Sequence, residues 1–354
     1  MSNLKKGGVC ICARIAALMA MTCGPTFAAE WTSVNVGLTN LEIHSLAIDP
    51  ARSTTVYAGT HNGLFKSLDG GATWRESGLP DRATTHLVID FANPNILYAG
   101  TACTSRVCFC PVHPLFKSTD GGGSWSNRIS PPDQACDIIR ALVMDPSDTN
   151  TLYIAASGLS GFPPLLKSTD GGVTWNYLPP WRYPSRPPFE DVLAVAINPL
   201  APNILYAGSW DFPDPSGLLR STDGGMTWSK TGLVKPTVTA LAIDPLNPST
   251  LYALAGGFLD EANQGPLKST DSGASWFAID HGLSDFIGAE SRFAALVIDP
   301  RNPNTLYTAT TGNGVFKTSD GGASWIRFSG QAASRSAAPA MLCCCLMLRR
   351  EPVE

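Results

Sequence analysis

Six apolar runs recur along the chain, each stopping at an Asp-Pro or a near equivalent. They are HSLAIDP from His44, HLVIDF from His86, RALVMDP from Arg140, LAVAINP from Leu193, ALAIDP from Ala240 and ALVIDP from Ala295. Large side chains fall on one alternate set (Leu46 and Ile48, Leu142 and Met144, Leu296 and Ile298). Small ones dominate the other (Ser45 and Ala47, Ala194 and Ala196, Ala240 and Ala242). A run that is apolar on both faces predicts a strand buried between two sheets, and the small face lets the neighbouring sheet approach. Three more strand signals follow each run. A YAGT-type segment starts at Tyr57, Tyr98, Tyr153, Tyr206, Tyr252 and Tyr307, an LFKS-type segment comes next, and a last strand begins at a tryptophan. The pattern predicts four short strands, six times over.

The third and fourth strands are joined by one phrase. Ser67–Trp74 reads SLDGGATW, and it returns as Ser118–Trp125, Ser168–Trp175, Ser221–Trp228, Ser269–Trp276 and Thr318–Trp325. Its aspartates, Asp69, Asp120, Asp170, Asp223, Asp271 and Asp320, lie 51, 50, 53, 48 and 49 residues apart. A fixed phrase at that period marks a repeat architecture. The Gly-Gly or Ser-Gly pair supplies the positive φ of a tight turn, and Asp with Ser or Thr holds the turn through its backbone N–H groups. The closing tryptophans (Trp74, Trp125, Trp175, Trp228, Trp276 and Trp325) suit a wedge between neighbouring sheets. Six equivalent turns are what a repeat fold requires, so these aspartates are structural rather than catalytic.

The pattern S-x-D-x-G-x-[TS]-W resembles the Asp-box of the BNR repeat over residues 31–330. That motif is found in sialidases, xyloglucan-hydrolysing propeller enzymes, sortilin-type receptors and the photosystem II assembly-factor family. The resemblance implies an all-β β-propeller of four-stranded blades, with the Asp-box turn between strands three and four. It leaves function open, because those families share the fold and not the activity. Six blades are expected. Closure is the untidy part, because Trp31–Val34 looks like a fourth strand with nothing before it, while Trp325–Phe328 already fills that place in the last blade. The alternative is a seven-bladed ring whose last three strands are missing.

Loop lengths separate two faces. The step from the Asp or Asn closing strand one to the tyrosine of strand two is always 8 residues, and Ser or Thr to Trp in the box is always 7. From that tyrosine to the box aspartate the distance varies between 12 and 22 residues. The variable connections open on the opposite face, where binding residues gather on a rigid scaffold. Pro180–Pro184 and Ser209–Pro213 place Trp181, Tyr183 and Trp210 beside Glu190, Asp191, Asp211 and Asp214. Aromatic planes beside carboxylates suit a sugar or a peptide, or the rings simply pack down on the ring top. Toward the axis, the fifth position before each strand-one end holds His44, Thr85, Arg140, Leu193, Thr239 and Ala294. Arg140 and His44 are the candidate channel-lining residues, with Arg140 the candidate for a ligand, or the channel charge is simply solvated.

The chain's 354 residues, 44% hydrophobic and 15% charged with a net charge of −4, can bury a large core and give no reason to expect nucleic acid. Residues 1–29 read as a secretory leader, with Lys5 and Lys6, an apolar run Val9–Met21 and a small-residue exit at Ala28-Ala29. Residues 30–330 form one propeller, and 331–354 carry no repeat signal. The tail's apolar run Met341–Leu348 is too short to span a bilayer; the tail is a degenerate sorting signal or a damaged reading frame. A secreted, periplasmic or cell-surface monomer is expected. In such a chain Cys103, Cys108, Cys110 and Cys136 read as two disulfides of open connectivity. Cys108-x-Cys110-x-x-His113 completes no familiar zinc spacing, so neither metal nor cofactor is expected.

The leading expectation is a non-catalytic scaffold for a glycan or protein partner on the long-loop face. The alternative is a glycoside hydrolase, which needs two carboxyl groups about 5–10 Å apart. Asp191 with Asp211, or Asp260 with Glu290, are the candidate pairs. Sialidase chemistry is disfavoured, because the chain has no Arg-Ile-Pro and only Arg140 and Arg292 lie near strand-one starts. The wording YAGT and DGGATW is closer to the xyloglucan-cleaving enzymes, whose resemblance implies a cleft between two tandem propellers.

Overall fold

The computed structural model describes residues 35–39, 42–103, 115–127, 139–156, 165–178, 191–210, 217–234, 237–256, 265–283, 293–310 and 313–327. They form 24 strands in six four-stranded antiparallel sheets, arranged as a β-propeller. Blade one is β1 (Ile43–Ile48), β2 (Val56–Thr60), β3 (Gly63–Ser67) and β4 (Arg75–Glu76). Blade two is β5 (Arg82–Ile89), β6 (Leu97–Cys103), β7 (Leu115–Ser118) and β8 (Ser126–Asn127). Blade three is β9 (Ile139–Met144), β10 (Leu152–Ala156), β11 (Leu165–Ser168) and β12 (Asn176–Tyr177). Blade four is β13 (Asp191–Ile197), β14 (Leu205–Trp210), β15 (Gly217–Ser221) and β16 (Ser229–Lys230). Blade five is β17 (Val238–Ile243), β18 (Leu251–Ala255), β19 (Gly265–Ser269) and β20 (Phe277–Ala278). Blade six is β21 (Phe293–Ile298), β22 (Leu306–Thr310), β23 (Gly314–Thr318) and β24 (Ile326–Arg327). The described residues contain no helix.

The core is divided into layers between blades, as the two-faced first strands require. Leu87 and Ile89 of β5 pack back onto Ala47, Tyr57 and Leu64 of blade one, while Val88 faces blade three. Leu142 and Met144 of β9 likewise pack back onto blade two, and Ala141 and Val143 face blade four. The large face of the first strand in blades two to six therefore points to the preceding blade, and the smaller face of β1, β5, β9 and β17 to the next. Fully burying one such Leu or Ile contributes about 1.5–3 kcal/mol.

Polar latches repeat across the same seams. The hydroxyl of Tyr57 donates to the Gly121 carbonyl in the next blade's box at 3.0 Å, and Lys66 Nζ donates to the same oxygen at 2.8 Å. Tyr98 and Lys117 do the same to Gly171, at 2.9 and 3.1 Å. Each lysine also lies over its own tyrosine ring, Lys66 at 5.1 Å and Lys117 at 5.0 Å from the centroid. One carbonyl thus receives two donors from the neighbouring sheet. Tyr98→Phe is expected to lower the unfolding free energy by about 0.5–1.5 kcal/mol, read as a shift in urea midpoint with the slope unchanged.

The untidy N-terminal segment has a definite place. Val36 pairs with Thr73 in the box of blade one, and Trp74 N–H donates to the Val36 carbonyl at 2.8 Å. Leu38 packs with Leu46, Val56, Phe65 and Trp74, covering the large face of β1. The same Gly-Leu pair follows the fourth strands at Gly78-Leu79, Gly232-Leu233 and Gly282-Leu283, each set against the next blade's box. Residues 36–38 therefore sit where a fourth-strand exit sits elsewhere. They do not complete blade six, whose fourth strand is β24. Trp31–Val34 lie outside the described residues.

Candidate ligand-binding face

The two constant turns lie together on one face and are consumed by their own geometry. Asp49 at the end of β1 accepts the N–H groups of Ala51 and Arg52 at 2.8 and 3.0 Å, and Asp90, Asn198, Asp244 and Asp299 repeat the turn. The box tip docks on that turn, with Gly70 N–H donating to Thr54, Gly121 to Asn95 and Gly171 to Asn150. Within the box, Ser67 Oγ–H and Thr73 N–H both donate to Asp69 Oδ1 at 2.8 Å, and Thr73 Oγ1–H donates to Oδ2 at 2.6 Å. The same bonds recur at Asp120, Asp170, Asp223, Asp271 and Asp320. These donors stabilise the ionised form, the Thr73 hydroxyl most, and hold Asp69 at about 2; Asp170, Asp223 and Asp271 are likewise at about 2, with Asp120 and Asp320 also well below the usual carboxylate range. Both oxygens of every box aspartate are engaged within its own turn.

On the opposite face, each first strand begins with a bulge. Ile43 pairs with Thr60 and Ser45 with Gly59, so His44 is the extra residue. The ladders skip Thr85, Arg140, Leu193, Thr239 and Ala294 in the same way. The axial position picked out by sequence register is thus the unpaired residue of a bulge in all six blades, a device that re-aims a side chain.

Two of these positions gather imidazoles. His86 follows the bulged Thr85 and is buried. Its Nε2 lies 2.9 Å from the Arg140 carbonyl, which can only accept, so Nε2 carries the proton and Nδ1 faces Thr85 Oγ1 at 3.0 Å. Burial pushes the His86 imidazole down to about 4. His44 stands 5.9 Å from His61, ring centroid to centroid, and burial lowers its pKa too. His61 lies in the short turn between β2 and β3, and its N–H donates to the Glu42 carbonyl at 3.0 Å. Its Nδ1 is 4.0 Å from Glu42 Oε2. Sequence register singled out His44 but neither Glu42 nor His61, because they become neighbours only once β1 pairs with β2. The signal available was Glu-x-His before a hairpin whose turn carries a second histidine.

The sequence-derived binding residues are only partly placed. Asp191 and Trp210 are opposite one another in the ladder of β13 and β14. Arg140 is the bulged residue of β9, half-buried. Trp181, Tyr183, Asp211, Asp260 and Glu290 lie outside the described residues, as do Cys108, Cys110 and Cys136. Cys103 ends β6.

Residues 219–230, from β15 through the fourth Asp-box to β16, match the family model described as BNR/Asp-box repeat. A xyloglucanase of Hypocrea jecorina (strain QM6a) is 30% identical over 146 residues, taking in 34% of this chain and 16% of that enzyme. The GH74 xyloglucanase from Xanthomonas campestris superposes with a TM-score of 0.62 at 18% identity, over 84% of this chain and 46% of that enzyme. YCF48 from Cyanidioschyzon merolae gives 0.59 at 13% identity, over 84% and 88% of the two chains. The chain therefore spans less than half the length of the xyloglucanases it matches, and the structural likenesses establish the fold alone. Six four-stranded blades, each with a box of one hydrogen-bond pattern and the fourth box matching the BNR/Asp-box repeat, make this chain a β-propeller with an Asp-box turn in every blade.

Proposed function

We propose that this is an exported propeller that binds a glycan or protein partner on its long-connection face without cleaving it, with xyloglucan-type glycans the first ligands to test. The observation that carries this reading is the division of the two faces. On one, every turn has the same length and spends its polar groups internally. On the other, the connections vary in length and the six bulges turn one residue each out of the ladder. Variable loops on a rigid ring are a recognition surface.

Hydrolysis is the second reading, favoured by the 30% identity to a xyloglucanase. Its candidate pairs are Asp191 with Asp211 and Asp260 with Glu290. The resemblance to those enzymes implies a cleft between two propellers, whereas the described residues form one. Incubating the purified chain with a polysaccharide panel, with binding and reducing-end release read on the same samples, separates the two. Binding without release, weakened at least about tenfold by Trp181→Ala or Trp210→Ala, is the expected result. Release that disappears in Asp191→Asn or Asp211→Asn would establish the hydrolase instead.

A further inference from the structure

We infer that Glu42, His44 and His61 form a binding site for a divalent transition-metal ion of the zinc class, at the long-connection end of blade one. One ligand atom from each of the three lies within 4.8 Å of the other two. In a tetrahedral site with metal–ligand bonds of about 2.0–2.2 Å, donors stand roughly 3.3 Å apart. The His61 Nδ1 to Glu42 Oε2 distance of 4.0 Å is less than an ångström longer. Side-chain rotation alone closes that gap, because Glu42 is exposed and His61 only half-buried. The two imidazole planes are inclined at 49°, so they can converge on one ion without stacking.

The backbone holds the three donors in register. His61 N–H to the Glu42 carbonyl continues the ladder of β1 and β2 beyond Ile43 and Thr60, placing Glu42 opposite His61. The bulge leaves His44 out of that ladder, so its side chain is not committed to the alternation of the strand. His44 Nε2 is buried and has no hydrogen-bond partner among the described residues. A buried ring nitrogen without a partner is costly, and coordination of the imidazole fixes which nitrogen carries the proton.

The donor set selects the ion. Two neutral imidazoles and one carboxylate suit zinc, cobalt, nickel or copper, whereas calcium and magnesium prefer six or more oxygens. Three protein ligands leave one position of a tetrahedral ion for water or for a donor from a bound partner. The inference stands whether or not the face binds a glycan.

The test is calorimetric titration of the full chain with zinc, and with cobalt followed by its visible absorption, after blocking free thiols. The expected result is one ion per chain and the intense visible bands of four-coordinate cobalt. His61→Ala should weaken binding by about 100-fold or more, and Glu42→Gln by about tenfold. Both side chains are accessible, so these variants keep the measurement meaningful even where His44→Ala disturbs folding. Absence of binding in the thiol-blocked chain, or an affinity in His61→Ala and Glu42→Gln unchanged from that of the unsubstituted chain, would overturn the inference.

Discussion

Trp325→Ala is expected to destabilise the propeller by about 3–5 kcal/mol, the range for removing a large aromatic from a packed core. Trp325 is 4% exposed and fills the layer between blades five and six with Leu283, Leu296, Leu306 and Phe316. Its indole N–H donates to the Ile279 carbonyl in blade five, and its backbone N–H to His281. Gly282 lies so close that a Cβ there would stand 2.5 Å from the Trp325 carbonyl. Truncation would empty the seam and leave the Ile279 oxygen without this donor. Trp228 is the control. It occupies the equivalent box position but is only partly buried, and its N–H returns to Gly225 in its own box at 3.0 Å. Trp228→Ala should cost less than half as much. Urea unfolding followed by circular dichroism reads both. Since stability in a repeat array is close to a sum of neighbour interfaces, loosening the last seam should also broaden the transition of Trp325→Ala. Equal midpoints for the two variants would show that the cross-blade placement of Trp325 carries no special weight.

The contrast between these tryptophans marks the limit of what the sequence discloses. The box phrase is local, with donors and acceptor at most four residues apart, so its turn and the shared face of the constant turns are legible from spacing. The division of each first strand into a large and a small face is almost as legible, because Leu142 and Met144 differ in size from Ala141, but which blade each face meets is not. Cross-blade partners are different. Tyr98 and Lys117 are common residue types that stand 73 and 54 positions from Gly171, and nothing local ties them to it. Trp125 and Trp228 share the same motif position, yet one donates to Ser77 in the preceding blade and the other to its own box. Glu42 and His61 escaped notice for a related reason. They lie beside the shortest variable connection, where length variation draws no attention, and only hairpin register unites them. The long connections follow no repeat, so Trp181, Tyr183 and Asp211 rest on composition alone.

Acidification should destabilise the protein in two stages, the first governed by His86. Its folded pKa of about 4 lies below the ordinary 6.5, first because burial disfavours the charged ring, with Arg140 and His44 adding repulsion. The Arg140 carbonyl opposes the shift only in part. Between those values the unfolded chain binds more protons than the folded one, so stability falls as pH drops from about 6.5 to about 4. A difference of that size corresponds to about 3 kcal/mol. The box aspartates act lower down. Their folded pKa values are depressed, so their contribution is present above about 4 and is lost as pH falls toward 2. Urea midpoints measured from pH 7.5 to 2.5 should therefore decline along two limbs. His86→Gln keeps an N–H donor for the Arg140 carbonyl but cannot take up the proton, so it should flatten the upper limb and leave the lower one. Asp170→Asn should lower the midpoint by a constant amount above about pH 4 and flatten only the lower limb, because its neutral amide has no ionised form for the turn to stabilise. An upper limb unchanged in His86→Gln would assign that titration to another group, with His44, also lowered by burial, the next to test.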